Sequence, residues 1–151
     1  MKSEWEIQPS GPASDALAEL GLVDHHVHGV IKENPSLESF TNMITESDRT
    51  PKSLEEAMNT QVGFATRRWV APLLDLEPHA SPSDYWNRRL ELGASVVNDR
   101  LLKATGIEHY LVESGLRGEE IYSPSGMAQV TGAQVSEVIR IETVEIGRAH
   151  V

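Results

Sequence analysis

Residues 22–29 read Leu-Val-Asp-His-His-Val-His-Gly, and this stretch decides how the rest of the chain is interpreted. Its apolar and β-branched beginning predicts a short buried strand that becomes polar towards its carboxyl end. Successive side chains of a strand point to opposite faces, so a regular strand would place Asp24, His26 and His28 on one face. The spacing therefore predicts three polar side chains grouped at the end of one strand.

The same three side chains have the chemistry of a metal site. Imidazoles two residues apart in a strand lie roughly 6.5–7 Å apart and can converge on one cation, while a nearby carboxylate can orient them or add a ligand. We predict that His26 and His28 bind a divalent metal, zinc in preference to manganese or iron, and that Asp24 assists catalysis. The alternative is a chance polar strand end or an affinity-tag remnant, although a tag would be a plain histidine run at a terminus.

The segments around this strand alternate between helical and extended patterns. Ser53 and Glu56 are spaced as a capping box, and Pro82 stands where a first helical residue is expected. The patterns predict helices over 14–20, 37–43, 54–69, 82–104 and 125–131, and further strands over 109–115 and 137–143. Strands that alternate with helices are typical of parallel β/α units, so we expect an α/β fold.

Composition limits the functions that the chain can perform. The 151 residues suffice for one ordinary domain, and 23 acidic against 13 basic residues argue against nucleic-acid binding. Because the chain has no cysteine, a metal must be bound through histidine nitrogen and carboxylate oxygen. We see no signal-peptide pattern and no apolar run near the roughly 18 residues of a membrane span, and therefore expect a cytoplasmic protein without membrane contact.

Residues 22–29 resemble the first-strand motif of the amidohydrolase superfamily, and the order of the following elements is similar to the branch associated with glutamine-synthetase-like domains. In that resemblance, residues 107–115 and 137–143 correspond to the second and third barrel strands. The resemblance implies a (β/α)8 barrel in which His26 and His28 are the first two ligands of one or two divalent metals. It also implies that a metal-activated water attacks an amide, ester or related carbonyl of a small-molecule substrate.

A complete barrel of this type needs about 250 residues, whereas the patterns here account for three strands. We therefore expect residues 1–145 to form the N-terminal part of a TIM barrel, about three β/α units, that is inactive by itself. The full-length protein is expected to add the later ligands and to form homo-oligomers, with a fused glutamine-synthetase-like domain as a further expectation. Residues 146–151, Ile-Gly-Arg-Ala-His-Val, match a translated sequencing adapter, so we expect the natural sequence to end near Val144 or Glu145.

Polar residues at the carboxyl ends of barrel strands are often functional. On this basis we assign Glu113 and Ser114, after the second strand, to substrate binding, together with Arg49 in the long loop after the first. Arg140 and Glu142, expected on one face of the third strand, are assigned to catalysis, with Arg140 able to hold an anionic group bidentately. The alternatives are an ion pair for Arg140 and a solvated turn for Arg49.

Two other functions remain open at this point. Phosphoesterases of the polymerase-and-histidinol-phosphatase type also begin with two histidines on a first barrel strand, but usually continue with Ser or Thr and a nearby Ser-Asp-Gly, whereas residues 29–32 read Gly-Val-Ile-Lys. A non-catalytic barrel remnant is the other possibility, and its open strand edges would favour aggregation. His79, His109 and His150 are expected to be surface residues without a role.

Overall fold

The computed structural model describes residues 10–45, 47–115 and 118–141. Within these ranges the chain forms a parallel sheet of three strands in the order β1-β2-β3, connected by helices, so the predicted α/β class is confirmed. The strands are β1 (Leu22–Val27), β2 (Ile107–Glu113) and β3 (Gln134–Val138). No helix among the described residues is long and apolar enough to cross a lipid bilayer.

Six α-helices lie in the described ranges: α1 (Pro12–Ala18), α2 (Leu37–Met43), α3 (Leu54–Met58), α4 (Gln61–Ala65), α5 (Pro82–Ala104) and α6 (Pro124–Thr131). A π-helical turn over Thr66–Val70 and a 3₁₀ turn over Ala71–Leu74 follow α4, and a second 3₁₀ turn covers Gly118–Glu120. The long helix α5 is kinked at Gly93, whose φ of 78° lies in the region that only glycine adopts readily. The kink divides α5 into two segments.

The capping box at the start of α3 is confirmed in its first half. Ser53 Oγ accepts a hydrogen bond from the Glu56 amide at 3.1 Å, as predicted. The Glu56 carboxylate accepts from the Lys52 amide at 2.6 Å, one residue earlier than the predicted partner. Both contacts satisfy amide groups that the helix itself leaves without acceptors.

The prediction of one continuous helix over 54–69 is wrong. Helix α3 ends at Met58, and Thr60 then starts α4 by accepting a hydrogen bond from the Gly63 amide at 3.1 Å. A β-carbon at Gly63 would lie 2.2 Å from the Met58 carbonyl oxygen, so the two short helices approach more closely than any other residue would allow. A cap residue in the middle of the apolar pattern therefore redirects the chain.

The third strand lies earlier than predicted. Helix α6 ends at Gly132, which adopts a φ of 70°, and β3 begins directly afterwards and pairs with His109–Glu113 of β2. The strand is complete at Val138, so the prediction of a strand over 137–143 is wrong. Arg140 accordingly follows the strand instead of lying in it, and Glu142 lies outside the described residues.

Two apolar clusters hold the described residues together. One lies among the helices that follow β1 and contains Phe40, Leu54, Met58, Ala71, Leu74, Tyr85 and Val97. The other joins one face of the sheet to α5 and α6 and is built on Tyr110, Val112 and Met127. Tyr110 and Val112 alternate with half-buried residues along β2, which shows that the helices cover a single face of this strand.

The loops that follow β1 and β2 are joined by backbone contacts. Ile31 and Ile121 form an isolated antiparallel bridge, with hydrogen bonds from the Lys32 amide to the Glu120 carbonyl at 3.0 Å and from the Tyr122 amide to the Val30 carbonyl at 2.9 Å. The buried Asn98 of α5 donates from Nδ2 to the Ile31 carbonyl at 2.8 Å. These contacts fix both loops to the same helix.

Asp75 ties α5 to the turn that precedes it. Its backbone is left-handed, with a φ of 63°, and its Oδ2 accepts from Arg88 Nη2 and Arg100 Nη1, both at 2.7 Å. The hydrogen bonds from Arg100 and then Arg88 lower the pKa of Asp75 below its ordinary value of 3.8. One carboxylate therefore connects two turns of α5 on both sides of the Gly93 kink.

We expect Asp75→Asn to lower the melting temperature at neutral pH by a few degrees, since asparagine tolerates the backbone but removes the charge. Because the folded pKa is depressed, the stabilisation is fully present above the unfolded pKa and disappears as the pH falls below about 3.8. The difference in melting temperature between the wild type and Asp75→Asn should shrink in that pH range. Asp99→Asn, which removes one exposed pair with Lys103, is the control and should change little; equal effects at all pH values would contradict the proposal.

Apolar side chains are exposed at both edges of the sheet. Val23 of β1 is 57% exposed, and Ile139, directly after β3, is 64% exposed. Among the described residues neither outer edge has a strand partner. Unpaired edges with exposed apolar side chains favour association with other chains.

We therefore expect the isolated chain to associate as its concentration rises, which light scattering after size exclusion would measure. The double variant Val23→Lys with Ile139→Lys should reduce this association because it places charges at both edges. Leu90→Lys, which removes a 45% exposed side chain from α5, serves as the control for added charge. A wild-type chain that remains monomeric at all concentrations would contradict the expectation.

Candidate functional site

The carboxyl ends of the three strands meet at one edge of the sheet because the strands are parallel. His26, Val27 and His28 lie at the end of β1, and Glu113 is the last residue of β2. Polar residues from separate parts of the chain are thus brought together there. This edge is the one at which barrel enzymes carry their active sites.

A bulge changes the predicted geometry of β1. Asp24 is in register with Tyr110 and Val27 with Val112, so three steps along β1 oppose two along β2. The expectation of a regular alternation that places Asp24 on the same face as the two histidines is therefore wrong. Asp24 Oδ1 accepts from the His26 backbone amide at 3.1 Å, which supplies an acceptor where the ladder is interrupted.

The imidazoles of His26 and His28 lie next to each other. Their ring centroids are 5.3 Å apart and their planes are inclined by 80°. With zinc–nitrogen distances of about 2.0–2.1 Å, two imidazoles on one tetrahedral ion would have centroids about 5 Å apart. The separation of the rings thus fits two ligands of a single metal ion.

Glu113 contacts His28 directly. Its Oε2 lies 3.2 Å from His28 Nδ1, and its Oε1 accepts from the Gly115 amide at 2.8 Å. Arg140 adds a pair to the same carboxylate, with Nε 3.3 Å from Oε1. The Glu113 side chain is only 13% exposed, and both of its oxygens have protein partners, which suits a group that positions His28.

The charge state of Glu113 determines what it does to His28. Desolvation by burial, the largest single effect, raises the pKa of Glu113. The hydrogen bonds from Gly115 and His28, with the charges of Arg140 and His28, outweigh it, so the pKa lies below its ordinary value of 4.5. An ionised carboxylate only accepts hydrogen bonds, so of the two neutral tautomers of His28 it favours the one with the proton on Nδ1, which leaves Nε2 to bind a cation.

Two further predicted residues, Ser114 and Arg140, line one small pocket at the ends of β2 and β3 together with Glu113. Ser114 Oγ donates to Glu137 Oε1, which connects the end of β2 to β3. Arg140 forms the ion pair with Glu113, the alternative that the sequence left open for it. Arg49 is exposed in a local turn, where its amide donates to Ser47 Oγ at 3.1 Å, and it is not among the residues that line the cavity beside His28.

Gly29, the residue directly after His28, has a φ of 87°. A β-carbon there would lie 2.8 Å from Ile121 Cδ1, so both the backbone angle and the space favour glycine. His79 is exposed, as expected. His109 is half-buried and its Nε2 lies 2.9 Å from Ser136 Oγ, so the expectation of a surface residue is wrong for it.

The residues described in 10–45, 47–115 and 118–141 contain no group of three or more histidine, aspartate or glutamate side chains placed to hold a metal ion. His26 and His28 would therefore supply two ligands of a larger set. Sequence reasoning also missed a cavity beside His28 that reaches Arg89 of α5. Arg89 falls within the predicted helix next to Trp86 and Leu90, and this apolar context is the only sequence signal that could have indicated it.

We expect the neutral His28 ring to carry its proton on Nδ1, which long-range ¹H–¹⁵N NMR would show at mildly alkaline pH. Glu113→Leu should remove this preference because the accepting carboxylate is lost. Glu137→Leu, at the same edge but bonded to Ser114, should leave the His28 signals in place. An unchanged tautomer in the Glu113 variant would show that the contact does not orient the ring.

Comparison of the chain with known protein families, with curated proteins and with solved structures yields no match. The central feature of the candidate site is the adjacent pair of imidazoles, one of which contacts the Glu113 carboxylate.

Proposed function

We propose that this chain provides the first two metal ligands, His26 and His28, of a metal-dependent hydrolase of the amidohydrolase type. The observation that carries the proposal is the 5.3 Å separation of the two rings at the carboxyl end of β1. The Asp-His-His-Val-His-Gly motif of residues 24–29 supports the same function. Zinc is the preferred metal, since a site of nitrogen and oxygen ligands without cysteine suits it.

The arrangement of the strands supports a place in a (β/α)8 barrel. Strands β1, β2 and β3 are parallel and adjacent in sequence order, as consecutive barrel strands are, and a helix precedes each of β2 and β3. We propose that the described residues are the N-terminal part of such a barrel. Later strands of the barrel would provide the remaining ligands.

The chemistry proposed for the site divides between the metal and the protein. A bound divalent metal supplies Lewis acidity and lowers the pKa of a coordinated water to about 7, which permits attack on an amide or ester carbonyl. His26 and His28 bind the ion, and Glu113 holds the His28 ring in the orientation and tautomer that binding requires. Asp24 supports the strand through the His26 amide, so we now propose a positioning role for it instead of a catalytic one.

Metal titration of the 151-residue chain tests the histidine pair. Cobalt(II), which reports its coordination by visible absorption, should bind the wild type weakly because the described residues provide only two protein ligands, and His26→Ala and His28→Ala should each abolish the signal. Glu113→Gln should weaken binding by roughly 10- to 100-fold, as loss of an outer partner of a ligand does.

His25→Ala is the matched control, because it removes a neighbouring imidazole that the proposal does not use. Equal cobalt affinity in the wild type and in both His26 and His28 variants would refute the metal site. For the activity, the gene would be extended from the source DNA beyond the codon for Val144 and its product assayed with amides, esters and phosphate monoesters. Turnover of phosphate monoesters alone would favour a phosphoesterase instead.

A further inference from the structure

A cavity of about 410 Å³ opens beside His28, between the loop that follows β1 and helices α2 and α5. Its apolar walls include Phe40, Met43, Ile44 and Ile121, and its polar lining includes His28 and Arg89. The volume lies in the range of small-molecule sites, and a few polar groups on apolar walls are typical of them. The cavity therefore has the size and lining of a binding site for a small organic molecule.

Arg89 lines this cavity, and no described residue provides it with a charged partner. Its Nε is buried and has no hydrogen-bond partner, and its guanidinium stacks over the Phe40 ring at 5.4 Å. The one side-chain hydrogen bond that Arg89 makes to another described residue runs from Nη1 to the Tyr85 hydroxyl at 3.3 Å. Within the described ranges no carboxylate pairs with it.

Arg88, the preceding residue of the same helix, has a structural role. Arg88 donates to the Leu74 carbonyl and pairs with Asp75 and Glu91 at 2.7 and 2.8 Å. Arg89, one residue further, makes none of these contacts and points its charge to the cavity instead. A buried guanidinium N–H without an acceptor is costly, and an anion in the cavity would relieve that cost.

The charges around the cavity favour a carboxylate as that anion. Besides Arg89, the charged residue of the lining is Glu33, which is exposed and acidic. A planar carboxylate matches the guanidinium fork with one negative charge, whereas a phosphate monoester would bring a second charge against apolar walls and Glu33. The Phe40 ring and the aliphatic side chains of the cavity wall would then contact the apolar part of the bound acid.

We propose that the cavity binds a small organic acid whose carboxylate pairs with Arg89 and whose apolar part lies along Phe40 and Ile121. The link to catalysis rests on the function proposed above, because His28 lines the same cavity. On that basis the hydrolase acts on substrates that carry a free carboxylate and an apolar group. The binding of the acid itself does not depend on a metal.

The test measures benzoate binding to the 151-residue chain by NMR titration in the presence of EDTA, with neutral benzamide as the matched probe. Benzoate should bind the wild type at least about tenfold more tightly than benzamide, and Arg89→Met should remove that preference. Arg89→Lys should restore part of it, since lysine keeps the charge but lacks the planar fork. Arg68→Met, which removes an arginine stacked over the exposed Trp69 at 4.7 Å, is the control and should bind as the wild type does.

The melting temperature provides a second measurement on the same variants. Because Arg89 has no anionic partner among the described residues, Arg89→Met should melt at or above the wild-type temperature, so lost binding would not reflect lost folding. Equal affinity of wild type and Arg89→Met for benzoate would overturn the proposal, and so would equal affinity of the wild type for benzoate and benzamide. Tighter binding of phenyl phosphate than of benzoate would also overturn it.

The two proposals fail separately. If Arg89 governs benzoate binding in EDTA while the His26 and His28 variants retain full cobalt affinity, the acid site stands and the metal site fails. If the histidine variants lose cobalt while Arg89→Met binds benzoate normally, the metal site stands and the acid site fails.

Discussion

The parallel pairing of β1 with β2 is the constraint on which the candidate site depends. It brings His28 beside Glu113 although 85 residues separate them in the chain. The pairing is stabilised by the cluster of Tyr110, Val112 and Met127, which covers one face of β2 and leaves the polar ends of the strands free. The packing of one side of the sheet therefore determines the arrangement of ionisable groups at its edge.

The bulge in β1 could not be predicted from the sequence. Two acceptors compete for the His26 amide there. The amide donates to the Asp24 side chain, whereas in a regular ladder it would donate to a carbonyl of β2. The α/β class, the bounds of α5 and the adjacency of the two histidines followed from residue pattern alone, whereas β1 ends at Val27 and exposes Leu22 and Val23, which the pattern had predicted to be buried. The position of β3 did not, since the strand begins as soon as Gly132 turns the chain and not where the β-branched residues cluster.

Contacts between distant parts of the chain lie beyond sequence reasoning. The sequence indicated a functional Glu113, but not that its carboxylate contacts Gly115, His28 and Arg140. Nor does the sequence distinguish Arg88, which pairs with Asp75, from Arg89, which lines a cavity. Neighbouring positions on a helix face different surroundings, and only the tertiary structure distinguishes them.

The bridge between Ile31 and Ile121 has a mechanical consequence. It joins the loop after His28 to the loop after Glu113, and Asn98 anchors both to α5. A shift of one loop would strain the hydrogen bonds that hold the other, so the two loops are mechanically coupled. Because Gly29 and Ile121 line the same cavity as His28, we expect a molecule in the cavity to influence the orientation of the His28 imidazole as well.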